Sequence, residues 1–248
     1  MIPTLHRKIE ECGFSALPAA HTLHYDGWLI RMTADGPKRA NSINPLHAST
    51  LPLTQKLAHC QNLFAQKRLP LIYRLTDHAC NAELDARLQA DGLEKIDDCI
   101  VMTYDLTQLA PYADAAYREH DADAWIAQMM TLDSAPPARK QVHAGLLRML
   151  ALPAIYGSMQ IEGHCAAIGL AVIDGDYAGL FDIATAPALR GKGHARALTA
   201  CLLQRAQERG ARTAYLQVVA ANLPALKLYE SLGFRACYRY WYRAQPQA

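Results

Sequence analysis

No segment of this chain approaches the ~18 consecutive apolar residues of a membrane-spanning helix, and its N-terminus lacks the charged-then-apolar pattern of a secretory leader. An excess of one charge is also missing. Twenty-five Lys and Arg face 23 Asp and Glu, and no basic arm or acidic tail breaks the even spread. These absences point away from a membrane partner and from a nucleic acid held by bulk charge. The seven cysteines, at positions 12, 60, 80, 99, 165, 201 and 237, are odd in number, and no pair has C-x-x-C spacing. They read as reduced thiols, mostly buried as small hydrophobes, in a cytoplasmic protein without a metal site. What the chain does have is apolar content. At 51% of 248 residues, it suffices for one large core or two small ones.

Residues 5–17 read as a helix ended by Pro18. Residues 21–32 read as the start of a hairpin, with Asp35-Gly36 as its turn signal, and 39–43 as a short strand closed by Pro45. Leu53, Leu57, Cys60 and Phe64 recur at helical steps across 53–66. A strand at 69–75, a helix at 81–90 capped by Gly92, and a strand at 100–106 follow. A boundary falls near 107–113, at Ala110-Pro111. Beyond it, 121–132 and 137–150 read as helices. Residues 154–161, 164–173 and 177–185 read as a meander turning at Glu162-Gly163 and Asp174-Gly175. A helix at 193–210, a strand at 214–219, a helix at 223–231 and a strand at 237–243 complete the chain. Each half thus ends strand, helix, strand, and the pairs Gly92-Leu93 and Gly233-Phe234 fall at matching places. That correspondence predicts a tandem repeat of one α/β unit.

The richest stretch chemically is the strand at 177–185, followed by Ala186-Pro187 and the turn Arg190-Gly191-Lys192-Gly193-His194-Ala195. The first amides of a helix lack internal partners and lie at the positive end of its dipole. Glycines let the backbone approach a ligand closely. The turn therefore reads as a phosphate cradle, with Arg190 and Lys192 adding charge and His194 contributing its backbone. The P-loop pattern G-x-x-x-x-G-K-S/T is not met, and Arg196 stands where a dinucleotide fingerprint needs a small residue. Arg196, Arg205 and Arg209 read as a solvated helix face, because no aromatics interleave them.

The spacing Arg190-x-x-Gly193-x-Ala195 resembles the Q/R-x-x-G-x-G/A turn of the GNAT superfamily, the acetyl-CoA-dependent N-acetyltransferases. Asn222, Ala225, Tyr229, Gly233 and Phe234 are similar in spacing to that family's N-x-x-A-x-x-x-Y-x-x-x-G-F segment. The resemblance runs from about Asp114 to Arg243. It implies an α/β (α+β) fold of two tandem GNAT-like domains, 1–109 and 113–248. Each would be a mixed, mostly antiparallel sheet with flanking helices and a splayed parallel strand pair. It implies acetyl-CoA as acyl donor, no metal, and a small-molecule or peptide amine as acceptor. The pantetheine arm would pair with the backbone of Ile183, Ala184 and Thr185. The pyrophosphate would sit on the amides of Gly191, Lys192, Gly193, His194 and Ala195 beside Arg190. Asn222 would bond the arm, and Tyr229 would reach the thioester sulfur.

The chemistry agrees with these roles. An amine can attack a thioester once held in place, and a tyrosine hydroxyl can protonate the leaving thiolate. The amine must also lose a proton; Asp182, His164 and a water chain are the candidates. Each residue has a plainer reading too: Asp182 a hydrogen-bonded structural carboxylate, Tyr229 a core tyrosine, Asn222 a helix N-cap, Trp125 core. In the N-terminal half the equivalent turn reads Asn44-Pro45-Leu46-His47-Ala48-Ser49. It has no glycine, and Pro45 removes an amide donor. Leu88 stands four residues before Gly92, where a tyrosine is expected. This half is therefore expected to be a degenerate copy without the cofactor site, and Trp28, Arg39, Asn41 and Ser42 to be polar enough to line an acceptor pocket. The competing class is a non-catalytic acyl-CoA-binding sensor.

Overall fold

The computed structural model describes residues 4–77, 82–132 and 135–246. Among them the N-terminal part forms α1 (Thr4–Ser15), β1 (His21–Tyr25), β2 (Trp28–Met32), β3 (Ser42–Pro45), α2 (Leu53–Gln66), β4 (Ile72–Thr76), α3 (Ala82–Ala90) and β5 (Glu94–Asp105). The rest forms β6 (Tyr117–His120), α4 (Ala122–Leu132), α5 (Pro137–Arg148), β7 (Ala154–Ile161), β8 (His164–Asp174), β9 (Tyr177–Thr185), α6 (His194–Glu208), β10 (Thr213–Val219), α7 (Leu223–Ser231) and β11 (Arg235–Ala244).

Local chemistry explains where the sequence reading and the structure part. Residues 21–32 are two strands, joined by Asp26-Gly27 with φ of 41° and 81°, a turn that matches strand twist. Asp35-Gly36 lies in the later loop instead. Residues 38–40 form a 3-10 turn, so the strand expected from 39 begins at Ser42 and takes in Pro45. β6 was not expected, since four residues carry too little periodicity to read. Cys80 and Asn81 lie outside the described residues.

The larger departure is topological. All eleven strands join one continuous mixed sheet in the order β1-β2-β3-β4-β11-β5-β10-β9-β8-β7-β6. The separate sheet expected for each domain is not what forms. β11 runs antiparallel to β4, from Tyr240↔Thr76 to Ala244↔Ile72, and antiparallel to β5, from Arg235↔Thr103 to Ala244↔Glu94. β5 in turn runs antiparallel to β10, from Thr213↔Asp105 to Val219↔Cys99. The last strand of each half is therefore seated against the other half.

Alternation along β11 makes this exchange stable. Tyr238, Tyr240 and Tyr242 are buried on one face, among Ile9 of α1, Trp125 of α4 and Tyr215 of β10. On the other face, Trp241 Nε1 and Arg243 Nε each donate to Asp85 Oδ1 of α3 at 2.8 Å. α1 lies over the seam. Its buried Glu10 accepts two hydrogen bonds from Arg74 of β4 and one from the Tyr238 hydroxyl at 2.5 Å. α6 and α7 cover the opposite face of the C-terminal part, packing Leu198, Leu202 and Tyr229 against Leu216 and Val218. α2 and α3 pack Leu57, Phe64 and Leu88 against Tyr73 and Leu75. Trp125 is fully buried and donates to the Gly157 carbonyl at 3.0 Å, as core. Cysteines within the described residues are free thiols, and burial pushes Cys12 and Cys60 up to about 12. Among the described residues, no helix is long and apolar enough to cross a membrane.

Strands interleaved in this way leave no half that can unfold alone. Single-tryptophan variants retaining Trp28 on β2 or Trp125 on α4 should report the same urea midpoint as far-UV circular dichroism. Separate midpoints would show two independent folding units.

Candidate functional site

β9 and β10 run parallel and pair only from Tyr177↔Thr213 to Leu180↔Leu216. Past that point β9 keeps its β8 neighbour and β10 keeps β5, so a fork opens between them. The fork begins at a bulge. Phe181 faces Leu170 and Ala184 faces Ile168, leaving one extra residue in β9. Asp182 takes the strain, with φ at 52°, in a region that Asp tolerates better than most residues. The bulge re-aims Ile183, Ala184 and Thr185, all partly buried, along the open edge.

The chain then passes through a 3-10 turn at Pro187–Leu189 into Arg190 and the turn that starts α6. Gly191 and Gly193 have φ of 75° and 86°, which a side chain would strain, and a Cβ on either would meet no protein atom within 4 Å. Gly193 is the N-cap. No side chain caps α6, and its first turn holds no acidic residue. The amides from Gly191 to Ala195 thus form an electropositive end with room before it. Arg190 and Lys192 are exposed beside it. Arg196, the residue that spoiled the dinucleotide pattern, bonds Ser231 and ties α6 to α7.

Asn222 does cap α7, accepting from Ala225 N at 3.2 Å through its side-chain oxygen, which leaves the amide nitrogen available. Tyr229 is buried edge-on against Phe234, 5.9 Å between centroids. Burial pushes its hydroxyl up to about 12, so it stays protonated at neutral pH.

A side chain that no local motif announces meets Asp182, and the charge of a second acts on it. His143 of α5 places Nε2 at 2.9 Å from Asp182 Oδ2. Burial raises the Asp182 pKa, but the hydrogen bond and charge of His143, with the charge of Arg39, outweigh it and hold the carboxyl below its ordinary range. Arg39 comes from the 3-10 turn before β3 and lies 5.0 Å over the Phe181 ring. His164 is exposed at the Glu162-Gly163 turn, and Trp28 is core rather than pocket lining. Among the described residues, no group of three or more His, Cys, Asp or Glu is placed to hold a metal.

The sequence profile of the family described as "Probable histone acetyltransferase Rv0428c C-terminal" matches residues 5–243. The chain belongs to this GNAT-fold N-acetyltransferase family. A Bacillus subtilis (strain 168) relative, the uncharacterized N-acetyltransferase YobR, is 27% identical over 244 residues, covering 96% of this chain and 97% of its own. The ribosomal protein bS18-alanine N-acetyltransferase of Escherichia coli (strain K12) is 42% identical over 73 residues, 29% of this chain and 49% of that relative. A solved GCN5-related N-acetyltransferase from Kribbella flavida has the same fold, with a TM-score of 0.68 at 13% identity over 98% of this chain and 95% of its own.

The acetyltransferase has a second strand-to-helix passage beside a brief parallel pairing, between β3 and α2, where β3 meets β4 at Ile43↔Tyr73. There the protein supplies its own anion. The Asp26 carboxylate accepts from the amides of Thr50 and Leu51 at 2.9 Å and from the Thr50 hydroxyl at 2.7 Å, just ahead of α2. Lys56, 1% exposed, lies 3.3 Å from the same carboxylate and 4.0 Å over the Trp28 ring. The Leu51 and Thr50 amides, then the Thr50 hydroxyl, hold Asp26 well below the usual carboxylate range.

A depressed pKa means that Asp26 stabilises the fold above its unfolded value of ~3.9, and that this is lost as pH falls through the folded value. Asp26→Asn should therefore lower Tm near neutral pH and shrink the Tm difference between about pH 7 and about pH 3. An unchanged pH dependence in differential scanning calorimetry would contradict the assignment.

Proposed function

We propose that the protein transfers an acetyl group from acetyl-CoA to a primary amine, at one site built by its C-terminal half. The observation that carries this reading is the open fork between β9 and β10, leading into an uncapped, glycine-lined helix start. Residues 1–109 and 113–248 are read as tandem copies whose last strands, β5 and β11, have exchanged places. The Asp26 carboxylate before α2 supports the view that the N-terminal copy has no phosphate site of its own.

The residues fit such a donor. The helix-start amides from Gly191 to Ala195, with Arg190 and Lys192, suit a pyrophosphate and carry no competing carboxylate. The free edge of Ile183, Ala184 and Thr185 suits an amide-bearing arm, and the spare nitrogen of Asn222 adds a donor. Acetyl-CoA supplies an acyl group activated as a thioester. Tyr229, kept protonated by burial, donates to the departing sulfur. Asp182 is ionised at neutral pH and offers an oxygen to the N–H of the incoming amine. His143 fixes that carboxylate and shares the proton it collects. Holding amine and donor together at the bulge supplies the remainder.

Gly193→Asp adds a carboxylate at the anion cradle, while Gly193→Asn adds a side chain of the same shape and tolerance for positive φ without the charge. The Asp variant should bind CoA at least ~10-fold more weakly than the Asn variant, by calorimetry, with little change in Tm. Equal affinities would remove the pyrophosphate from this turn. Tight CoA binding with no transfer to any amine in a broad panel would favour the sensor.

The His143–Asp182 pair predicts the acid limb of the rate profile. His143 lowers the Asp182 pKa, so in His143→Gln burial acts with less opposition and the pKa rises. The acid limb of kcat/KM should then move to higher pH. A limb that stays in place would exclude Asp182 as the proton acceptor.

A further inference from the structure

Beside the fork, on the face covered by α1, lies a recess of ≈ 210 Å³, counting its mouth to solvent, lined by Arg31, Arg39, Arg74, Glu10 and Gln217. Gln217 stands on β10 one residue past Leu216, where pairing with β9 ends. Arg39 lies over Phe181, the neighbour of Asp182 in β9, and its charge is felt at the Asp182 carboxylate. The recess therefore adjoins the place where the amine would meet Asp182.

Its charges do not balance. Glu10, the single acid in the lining, is taken by a two-point bond from Arg74 and by the Tyr238 hydroxyl. Arg31 donates only to neutral backbone carbonyls, those of Arg39 at 2.8 Å, Phe14 at 3.3 Å and Leu17. Arg39 has a buried Nη1 with no hydrogen-bond partner. A buried guanidinium N–H left unpaired is costly, and water or a ligand normally meets it. The Arg31 guanidinium is lowered to about 10, by burial first and then by the charges of Arg39 and Arg74. Among the described residues, Arg31 thus has no hydrogen-bonded acid and Arg39 keeps one buried N–H unmet. A planar carboxylate matches a guanidinium in two-point geometry, and the recess opens to solvent to admit the rest of such a molecule.

We infer that this recess holds the carboxylate of the acceptor, so that the amine acetylated is that of a free amino acid. The inference rests on the acetyl-transfer reading above and adds the substrate class to it. It also gives the N-terminal half a part in the site, through Arg31 and Arg39. A protein N-terminus, whose α-carbonyl is an amide, has no group to place there.

The test compares the standard L-amino acids with their C-terminal amides, on the full chain with CoA bound, by calorimetry and separately by acetyl transfer. At least one amino acid should bind at least ~10-fold more tightly than its amide, and Arg39→Gln should abolish the difference while CoA affinity and Tm are kept. Arg39→Lys, which keeps charge but loses the two-point fit, should restore part of it. The inference is overturned if no amino acid binds, if amides bind equally well, or if the preference survives Arg39→Gln. A carboxylate preference in binding without any transfer would uphold the recess and reject the acetyltransferase reading. Equal transfer to amides and peptide N-termini would do the reverse.

Discussion

The antiparallel pairing of β5 with β11 is the constraint on which the rest of this structure depends. Each strand closes its own stretch of chain yet lies between strands of the other half. Neither half can complete its sheet without the other, so the eleven strands behave as one body. The same exchange brings Glu10, Arg74 and Tyr238 together from three distant parts of the sequence. It leaves α1 lying across the seam, beside the fork in the C-terminal strands.

That arrangement gives the two strand-to-helix passages different fates. Helix starts attract anions, because amides and dipole converge there. Just ahead of α2, Asp26 holds the Thr50 and Leu51 amides and is paired with buried Lys56. Before α6 no side chain among the described residues meets that attraction, and two glycines with positive φ keep the approach clear. The contrast is electrostatic as much as steric. One passage carries a carboxylate of the protein, while the other stays open.

The N-terminal half reaches across the seam to β9. Arg39 stands over Phe181, and its charge acts on Asp182 across the seam. The shared sheet is what brings Arg39 of the N-terminal half beside Phe181 of the C-terminal half.

Much of this was legible in order along the chain. The meander at 154–185 and the helix after Gly193 follow from period, caps and spacing, all properties of neighbouring residues, while Asn222, Tyr229 and Phe234 stood out only through the family resemblance. α2 and α7 fall where their apolar steps put them. Asp26-Gly27 carries the same Asp-Gly turn signal as Asp35-Gly36, and only the fold shows that the hairpin turns at the first. Strand order was not legible. β5 and β11 look alike as sequences, each following a short helix and a Gly-hydrophobic cap, and pairing with either half leaves their alternation unchanged. Only the three-dimensional arrangement decides which edge each one fills. His143 was hidden for a related reason. A residue that acts through a carboxylate on another strand leaves no spacing in its own neighbourhood. The sequence by itself determined the elements and the glycine turn, because local backbone and dipole chemistry act over a few residues. The tertiary structure alone decided the exchanged strands and the charges around Asp182, because those depend on groups that only folding brings within a few ångströms.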